Sequence, residues 1–205
     1  MDFWEVIRTR RSVREFAAGD VPDEVLDKAI KAAALAPCGS QVRNWRFIVV
    51  RDKDMKVRMR EAVDSRMEDL AGKMKSSRAR KDFLAYGKYF TFFSEAPVVV
   101  AVIMKKYDSL SARILKRYED NTDYMSTAGI QNVAAAIENM LLALVAQGLG
   151  ACWMTGPMIA KEGLEKVLSA GEEEDLLALV PVGEPKKSPP PNALPGSVDD
   201  IIERL

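Results

Sequence analysis

Residues 8–16 read RTRRSVREF, and four arginines, Arg8, Arg10, Arg11 and Arg14, crowd a single hydroxyl, Ser12. Guanidinium groups form paired, charge-assisted hydrogen bonds to phosphate oxygens, and a serine hydroxyl adds a further donor. The segment has the chemistry of an anion site; a solvated basic turn is the competing reading. Val13 and Phe16 point inward while Arg14 points outward in this pattern, which favours an ordered segment. A second candidate is the loop APCGSQVRNW, residues 36–45, rich in small and polar residues and leading directly into the apolar run RFIVV. Loops that join a helix to a central strand often carry binding groups. A third is Met154-Thr155-Gly156-Pro157, where the apolar run ACWM is halted. Its backbone N–H groups are expected to be exposed and to face the flat ring of a cofactor.

The chain contains no histidine. This removes Ser-His-Asp and Cys-His hydrolases, His-ligated metal sites and imidazole proton shuttles. If the chain is an enzyme, its difficult chemistry belongs on a cofactor. Two cysteines, Cys38 and Cys152, are too few for a disulfide scaffold. Cys152 and Trp153 read as core residues.

The element that must position these groups is the stretch Ala128–Pro157. Ile130, Val133, Ala134, Ile137, Leu141, Leu144 and Val145 fall at helical spacing, and Met140 and Leu142 widen the apolar stripe. Such a helix is buried in a large core or a subunit interface. The alanines at 134, 135 and 136 allow another helix to approach closely, and Gly148 is a natural C′ residue. Asp120, Asn121 and Thr122 are available to cap its start.

Asp2 caps a short helix over residues 2–9, and Pro22 opens a second whose buried face is Val25, Leu26, Ala29, Ile30 and Ala33. Residues 46–50, PVVVAVIM from Pro97, and Leu176–Val182 read as strands. Residues 53–81 read as one basic surface helix, and 83–93 as an aromatic segment that is either a pocket wall or a packed helix. Residues 160–170 make a helix, and the acidic run 172–175 a solvated turn. After Gly183 a proline-rich extension cannot build a helix or a sheet interior. Late strands and one long connection predict a mixed α+β layer.

A length of 205 residues fits one domain, and a formal net charge of zero argues against nucleic acid as a partner. Met1–Glu5 lacks a basic start and an apolar run, and Gln131, Asn132, Glu138, Asn139 and Gln147 interrupt the most apolar helix. No membrane partner and a cytoplasmic location are the expectations.

Taken in order, RRSVREF, the AP-small-small loop ending in WRFIVV, EAPVVVAV, the apolar helix running into GLGACW, and the closing VPVGEP with its proline-rich tail resemble the nitroreductase family of FMN-dependent oxidoreductases. The resemblance covers nearly the whole chain. It implies a three-layer α+β sandwich with a central, mostly antiparallel sheet flanked by helices, and an intertwined homodimer with FMN at the interface. Residues 1–183 would form the FMN-binding domain and 184–205 an extension packing on the partner subunit. Arg10, Arg11, Ser12 and Arg14 match the family's phosphate and ribityl site, with Arg14 near the flavin N1/C2 edge. Pro37, Cys38, Gly39, Ser40 and Gln41 match the segment that the second chain lays on the ring. Met154, Thr155 and Gly156 match the loop whose backbone N–H approaches flavin N5. Gln41, Arg43 and Asn44 stand where the family commonly has asparagine, glutamine and proline. The tail lacks the family's basic phosphate ligand around Asn192, and Lys186 or Lys187 is the substitute. The implied activity passes hydride from NAD(P)H through the flavin to a small acceptor such as a nitroaromatic or quinone. A dehalogenase or dehydrogenase, or a non-redox module with an altered flavin site, are the alternatives.

Overall fold

Val98–Ile103 is a run of mostly β-branched residues in which every side chain is fully buried. A strand with no polar face must be covered on both sides, and the chain is arranged to do so. In a computed structural model, described over residues 1–119, 126–187, 190–193 and 196–204, this run forms most of β2 (Val98–Lys105). Its neighbours are β1 (Trp45–Val50) and β4 (Glu174–Gly183), and β4 pairs in turn with β3 (Gly150–Ala151). The order is β1-β2-β4-β3, and all three pairings are antiparallel. Trp45 faces Met104 at one end of β2, and Val98 faces Val182 at the other.

Alternation along β2 sorts the core into two halves. Val98, Val100 and Val102 pack with α2 (Asp23–Ala34) and α7 (Ala128–Ala146), while Val99, Ala101 and Ile103 pack with α3 (Lys53–Gly72), α8 (Lys161–Leu168) and Phe93. The result is the expected helix–sheet–helix sandwich. Ala136 is the fully buried member of the alanine run, and α2 lies against α7 there. Asn139 Nδ2 donates to the Ala32 carbonyl at 3.1 Å and Gln147 Nε2, at the C-cap, to that of Val25 at 3.1 Å, so two of the polar interruptions tie α7 to α2. By length and composition α7 is long and apolar enough to cross a bilayer, which the sequence reading did not grant; here it is the central helix of the core.

Several expectations change. The helix from 53 stops at Gly72, and α4 (Ser77–Tyr86) restarts with the Ser76 hydroxyl accepting from the Ala79 N–H. α3 is more than a surface helix: Met59, Val63, Met67 and Ala71, each four residues apart, form a buried stripe. The aromatic segment divides into α4, α5 (Lys88–Thr91) and a 3-10 turn, Phe92–Glu95. The connection after β2 contains α6 (Leu110–Tyr118), capped by Ser109. Ile130 is exposed rather than part of the buried stripe. Asp120, Asn121 and Thr122, the expected caps of α7, lie outside the described residues.

The acidic run is the clearest correction. β4 begins at Glu174, two residues before its predicted start, because the carboxylates there have cationic partners. Asp175 pairs with Lys161, and Glu174 accepts two 2.6 Å hydrogen bonds from the guanidinium of Arg46 on β1. This fork spans the intervening strand β2 and ties its two neighbours, β1 and β4, together. The Arg46 fork, with the Gly171 N–H, holds the Glu174 carboxyl down to about 2, against an ordinary value of 4.5. A depressed carboxyl stabilises the fold fully above its unfolded value and loses that contribution as pH falls toward its folded value. E174Q is therefore expected to be less stable than the parent by about 1–3 kcal/mol at neutral pH. In urea melts at stepped pH, that difference should shrink between pH 4.5 and about 2. A pH-independent difference would contradict the assignment.

Candidate functional site

The arginine segment begins where α1 (Phe3–Thr9) ends. The Asp2 carboxylate accepts from the Glu5 N–H at 2.9 Å to start this helix, and Arg10 is its C-cap. Beyond Arg10 the chain is extended and has no helix of its own. Ser12 forms a parallel bridge with Ala151, and the Val13 N–H donates to the Ala151 carbonyl at 2.9 Å. Val13 is buried and Arg14 exposed, as the alternation predicts. Gly150 makes the approach possible: a Cβ there would lie 2.6 Å from Val13 Cγ2 and 2.9 Å from Pro185 Cγ. Phe16 bridges to Pro185, and the Lys186 N–H donates to the Glu15 carbonyl at 3.1 Å. Lys186 and Lys187 thus emerge, exposed, beside the C-terminal end of the arginine segment.

Ser12, bridged to Ala151, lies beside the buried Cys152 thiol. Burial pushes that thiol up, against the opposing influence of the Arg14 charge, a hydrogen bond with Ser12 and the Arg10 charge. Arg10 approaches one carboxylate, that of Glu138, at only 3.9 Å, and Arg14 donates to the Ser12 carbonyl at 3.3 Å. Among the described residues no carboxylate pairs with Arg8, Arg11 or Arg14. The cluster therefore keeps its charge free for an external anion. A cleft of about 980 Å³ opens beside it, with Trp4, Arg8, Arg10, Glu138, Leu142 and Asn192 among its walls.

The second chemical surface lies further along the same sheet edge. Met154 differs from expectation: its N–H and carbonyl exchange hydrogen bonds with Leu179 at 2.9 and 3.0 Å, and its side chain is buried. Its N–H belongs to the sheet and is not presented outward. Thr155 is exposed, and Gly156 opens the 3-10 turn Gly156–Ala160, where a first N–H has no intrahelical acceptor and Pro157 carries none. A Cβ on Gly156 would run into the ring of Phe90. Phe90 belongs to an aromatic cluster with Tyr86, at 5.4 Å and 86°, and Tyr86 stacks near Tyr89 at 5.0 Å. The aromatic segment combines both readings: Phe93 is core, Phe90 backs the glycine, and Tyr86 and Tyr89 are exposed. Trp153, read as core, is 38% exposed. It follows Cys152 on a strand edge, so alternation turns it outward.

Pro37, Cys38, Gly39, Ser40 and Gln41 are elsewhere. Gly39–Gln41 is a 3-10 turn with Gln41 at φ 56°, a left-handed conformation that a non-glycine residue adopts only where the surroundings impose it. Gly39 lies directly under the Tyr107 hydroxyl. Asn44, buried, donates to the Gly129 carbonyl at 3.1 Å and accepts from Asn132 at 3.0 Å, and its own carbonyl takes the Lys105 N–H at 2.7 Å. The loop is thereby pinned at the Met104 end of β2, on the β1 edge. The arginine segment sits at the Val98 end, on the β3 edge. Strand geometry separates the two by about 20 Å along the sheet and about 14 Å across it. One chain thus gathers Arg10, Arg11, Ser12, Arg14, Lys186, Lys187, Thr155 and Gly156 along one edge and leaves Pro37–Gln41 at the diagonally opposite corner. Phe90 lies in the aromatic segment read from sequence as a pocket wall or a packed helix, and Asn192 where the tail lacks the family's basic phosphate ligand; Tyr107 has no local pattern that marks it.

Comparison with known proteins is consistent with this geometry. The nitroreductase family model matches residues 7–184. The iodotyrosine deiodinase of Hydra vulgaris is 30% identical over 191 residues, covering 91% of this chain and 66% of that protein. The chain spans a little under two thirds of the length of the animal deiodinases that it matches. A BluB-like flavoprotein from Clostridium difficile 630 superposes with a TM-score of 0.92 at 29% identity, covering 100% of this chain and 99% of that one. An iodotyrosine deiodinase bound to FMN and 3-iodo-L-tyrosine superposes at 0.70 with 25% identity, covering 95% and 96%.

The Gly156–Phe90 contact has a direct test. G156A should destabilise the fold by about 1–3 kcal/mol in urea unfolding, because the added methyl displaces a packed ring. F90A, which removes that ring, should make the G156A change nearly neutral. Equal costs of G156A in both backgrounds would show that the ring is not the obstacle.

Proposed function

This chain belongs to the nitroreductase family, and from that premise we propose that it is an FMN-dependent oxidoreductase acting on a small organic acceptor, with NAD(P)H as reductant. The observation that carries the reading is the extended segment Arg10–Arg14, in which Arg11 and Arg14 have no carboxylate partner among the described residues and Arg10 meets only Glu138 at 3.9 Å, on the sheet edge that also carries Thr155 and Gly156. The residues fit a flavin mononucleotide. Arg10, Arg11 and Ser12 have the donors for a phosphate end, while Lys186 and Lys187 stand at the other end of the segment, where the Lys186 N–H donates to the Glu15 carbonyl. Thr155 and Gly156 offer backbone N–H groups where no side chain intervenes. Arg14 supplies positive charge for the ring edge that becomes anionic on reduction.

When bound, FMN supplies two-electron transfer at its N5 position. The chain's own residues hold, orient and shield. No side-chain acid or base is required at the hydride, which agrees with the absence of histidine. The aromatic residues Tyr86, Tyr89 and Phe90 give the acceptor side a flat, apolar wall.

The family resemblance assigns Pro37–Gln41 to the ring of a second copy's site, and its place at the opposite corner of the sheet within one chain supports that reading of a homodimer with two shared sites. Exposed apolar side chains on α1 and on the loop itself, Phe3, Trp4, Ile7, Leu35 and Val42, supply surface for it.

A second reading, reductive removal of halogen from a phenol, is favoured by the likeness to iodotyrosine deiodinases. The two separate in a stopped-flow experiment. Anaerobically reduced protein is mixed with a quinone, a nitroaromatic or a halogenated tyrosine, and flavin reoxidation is followed. Fast reoxidation by the first two, with steady NAD(P)H consumption, supports the reductase. Halide release with slow NAD(P)H turnover supports the dehalogenase.

The freshly purified protein is expected to show a flavin absorption spectrum, with FMN identified by mass after release. R10A and R14A should each weaken FMN binding by about tenfold or more, the loss of one charge-assisted contact. Unchanged flavin content in both variants would overturn the assigned phosphate and ring-edge roles.

A further inference from the structure

The arginine segment is extended, carries like charges and lies at a sheet edge, so something must hold it in place. On one side it is held by Ala151. At its C-terminal end the tail pairs with it: the Ala17 N–H donates to the Glu184 carbonyl at 2.9 Å and the Lys186 N–H to that of Glu15. At its N-terminal end a single tail residue makes both contacts. The Asn192 N–H donates to the Arg8 carbonyl at 2.8 Å, and its side-chain Nδ2 donates to the Arg10 carbonyl at 2.6 Å. Carbonyls in the last turn of a helix have no intrahelical donor. Asn192 supplies two donors at the end of α1, on either side of Thr9, where the anion-binding residues begin.

We propose that Asn192 is a positioning residue for the Arg10 guanidinium, and that the tail acts as a latch that aims the phosphate end of the cofactor site. Its role as a cofactor latch rests on the FMN reading above; the backbone contact itself does not. The tail contributes no cation at this point, and Asn192 is half-buried in the wall of the cleft that Arg10 enters. Its amide acts on the backbone of the arginine and not on the ligand. A carboxylate in its place would keep the shape but would only accept, and would repel the Arg10 carbonyl.

Two measurements on the full-length protein decide this. First, FMN affinity is read by fluorescence quenching for the parent, N192A, N192D, R10A and R10A/N192D. Both N192A and N192D should bind about tenfold more weakly than the parent, and N192D should add nothing to R10A, because it acts through that side chain. N192D binding as tightly as the parent, or costing as much again in R10A, would overturn the latch. Second, trypsin cleavage after Arg10 and Arg11 is compared with cleavage at Arg78 and Lys81 on the exposed helix α4, in protein stripped of flavin. N192D should speed the first severalfold and leave the second unchanged; equal rates at all sites would overturn the proposal. A parent protein that ignores FMN defeats the flavin reading, and the trypsin comparison still decides whether Asn192 holds the arginine segment.

Discussion

The strand that must be buried on both faces governs this structure. Val98–Ile103 carries no polar side chain, so helices have to cover it twice, and its two-residue alternation divides the core between α2 with α7 and α3 with α8. Once both faces are closed, only the edges and ends of the sheet remain open to solvent. The chemistry-bearing residues lie there because there is nowhere else for charged, unpaired groups to lie.

The treatment of charge follows the same division. Inside, polar groups have partners: among the described residues no buried side-chain nitrogen or oxygen is left unbonded. Asn132 donates to Asn44, which donates in turn to the Gly129 carbonyl. The Lys56 ammonium, 6% exposed as a residue, is held against the Ala96 carbonyl at 2.6 Å and that of Pro97 at 3.3 Å, and burial foremost pushes its pKa down. Arg46 and Glu174 fasten β1 to β4 across β2. At the open edge the opposite holds: among the described residues Arg11 and Arg14 have no carboxylate partner, and Arg10 has only Glu138 at 3.9 Å. A closer carboxylate there would satisfy the guanidinium groups and close the candidate anion site.

The edge also explains why the arginine segment needs so much help. It has neither helix nor regular strand of its own, and its like charges disfavour close packing. Ala151, Gly150 and the returning tail impose the extended form between them. Flexibility is thus removed before any ligand arrives, which lowers the entropic cost of binding. At the opposite corner, Tyr107, Asn44 and the left-handed Gln41 shape the other loop as a rigid projection.

Much of this was legible in the residues themselves. The strands at 46–50 and 98–104, the apolar helix from 128, and the alternation around Ser12 are local patterns whose period declares the element. The order of motifs declared the nitroreductase fold. The absence of histidine directed attention to a cofactor. Long-range pairing was not legible. The acidic run reads as a solvated turn until Arg46, 128 residues away, extends the strand to include it. Met154 reads as free to present its N–H until Leu179 claims it, and Trp153 reads as core until strand alternation turns it outward. Asn192 reads as a turn residue in a proline-rich tail until it reaches Arg8 and Arg10. Sequence by itself determined the type of the strongly periodic elements, the order of motifs that marks the family and the side chains of the candidate anion site, because these depend on side-chain type and local period. Tertiary structure decided which carbonyls and N–H groups remain unpaired and which loops share a corner, because hydrogen-bond partners far apart in the chain leave no local signature.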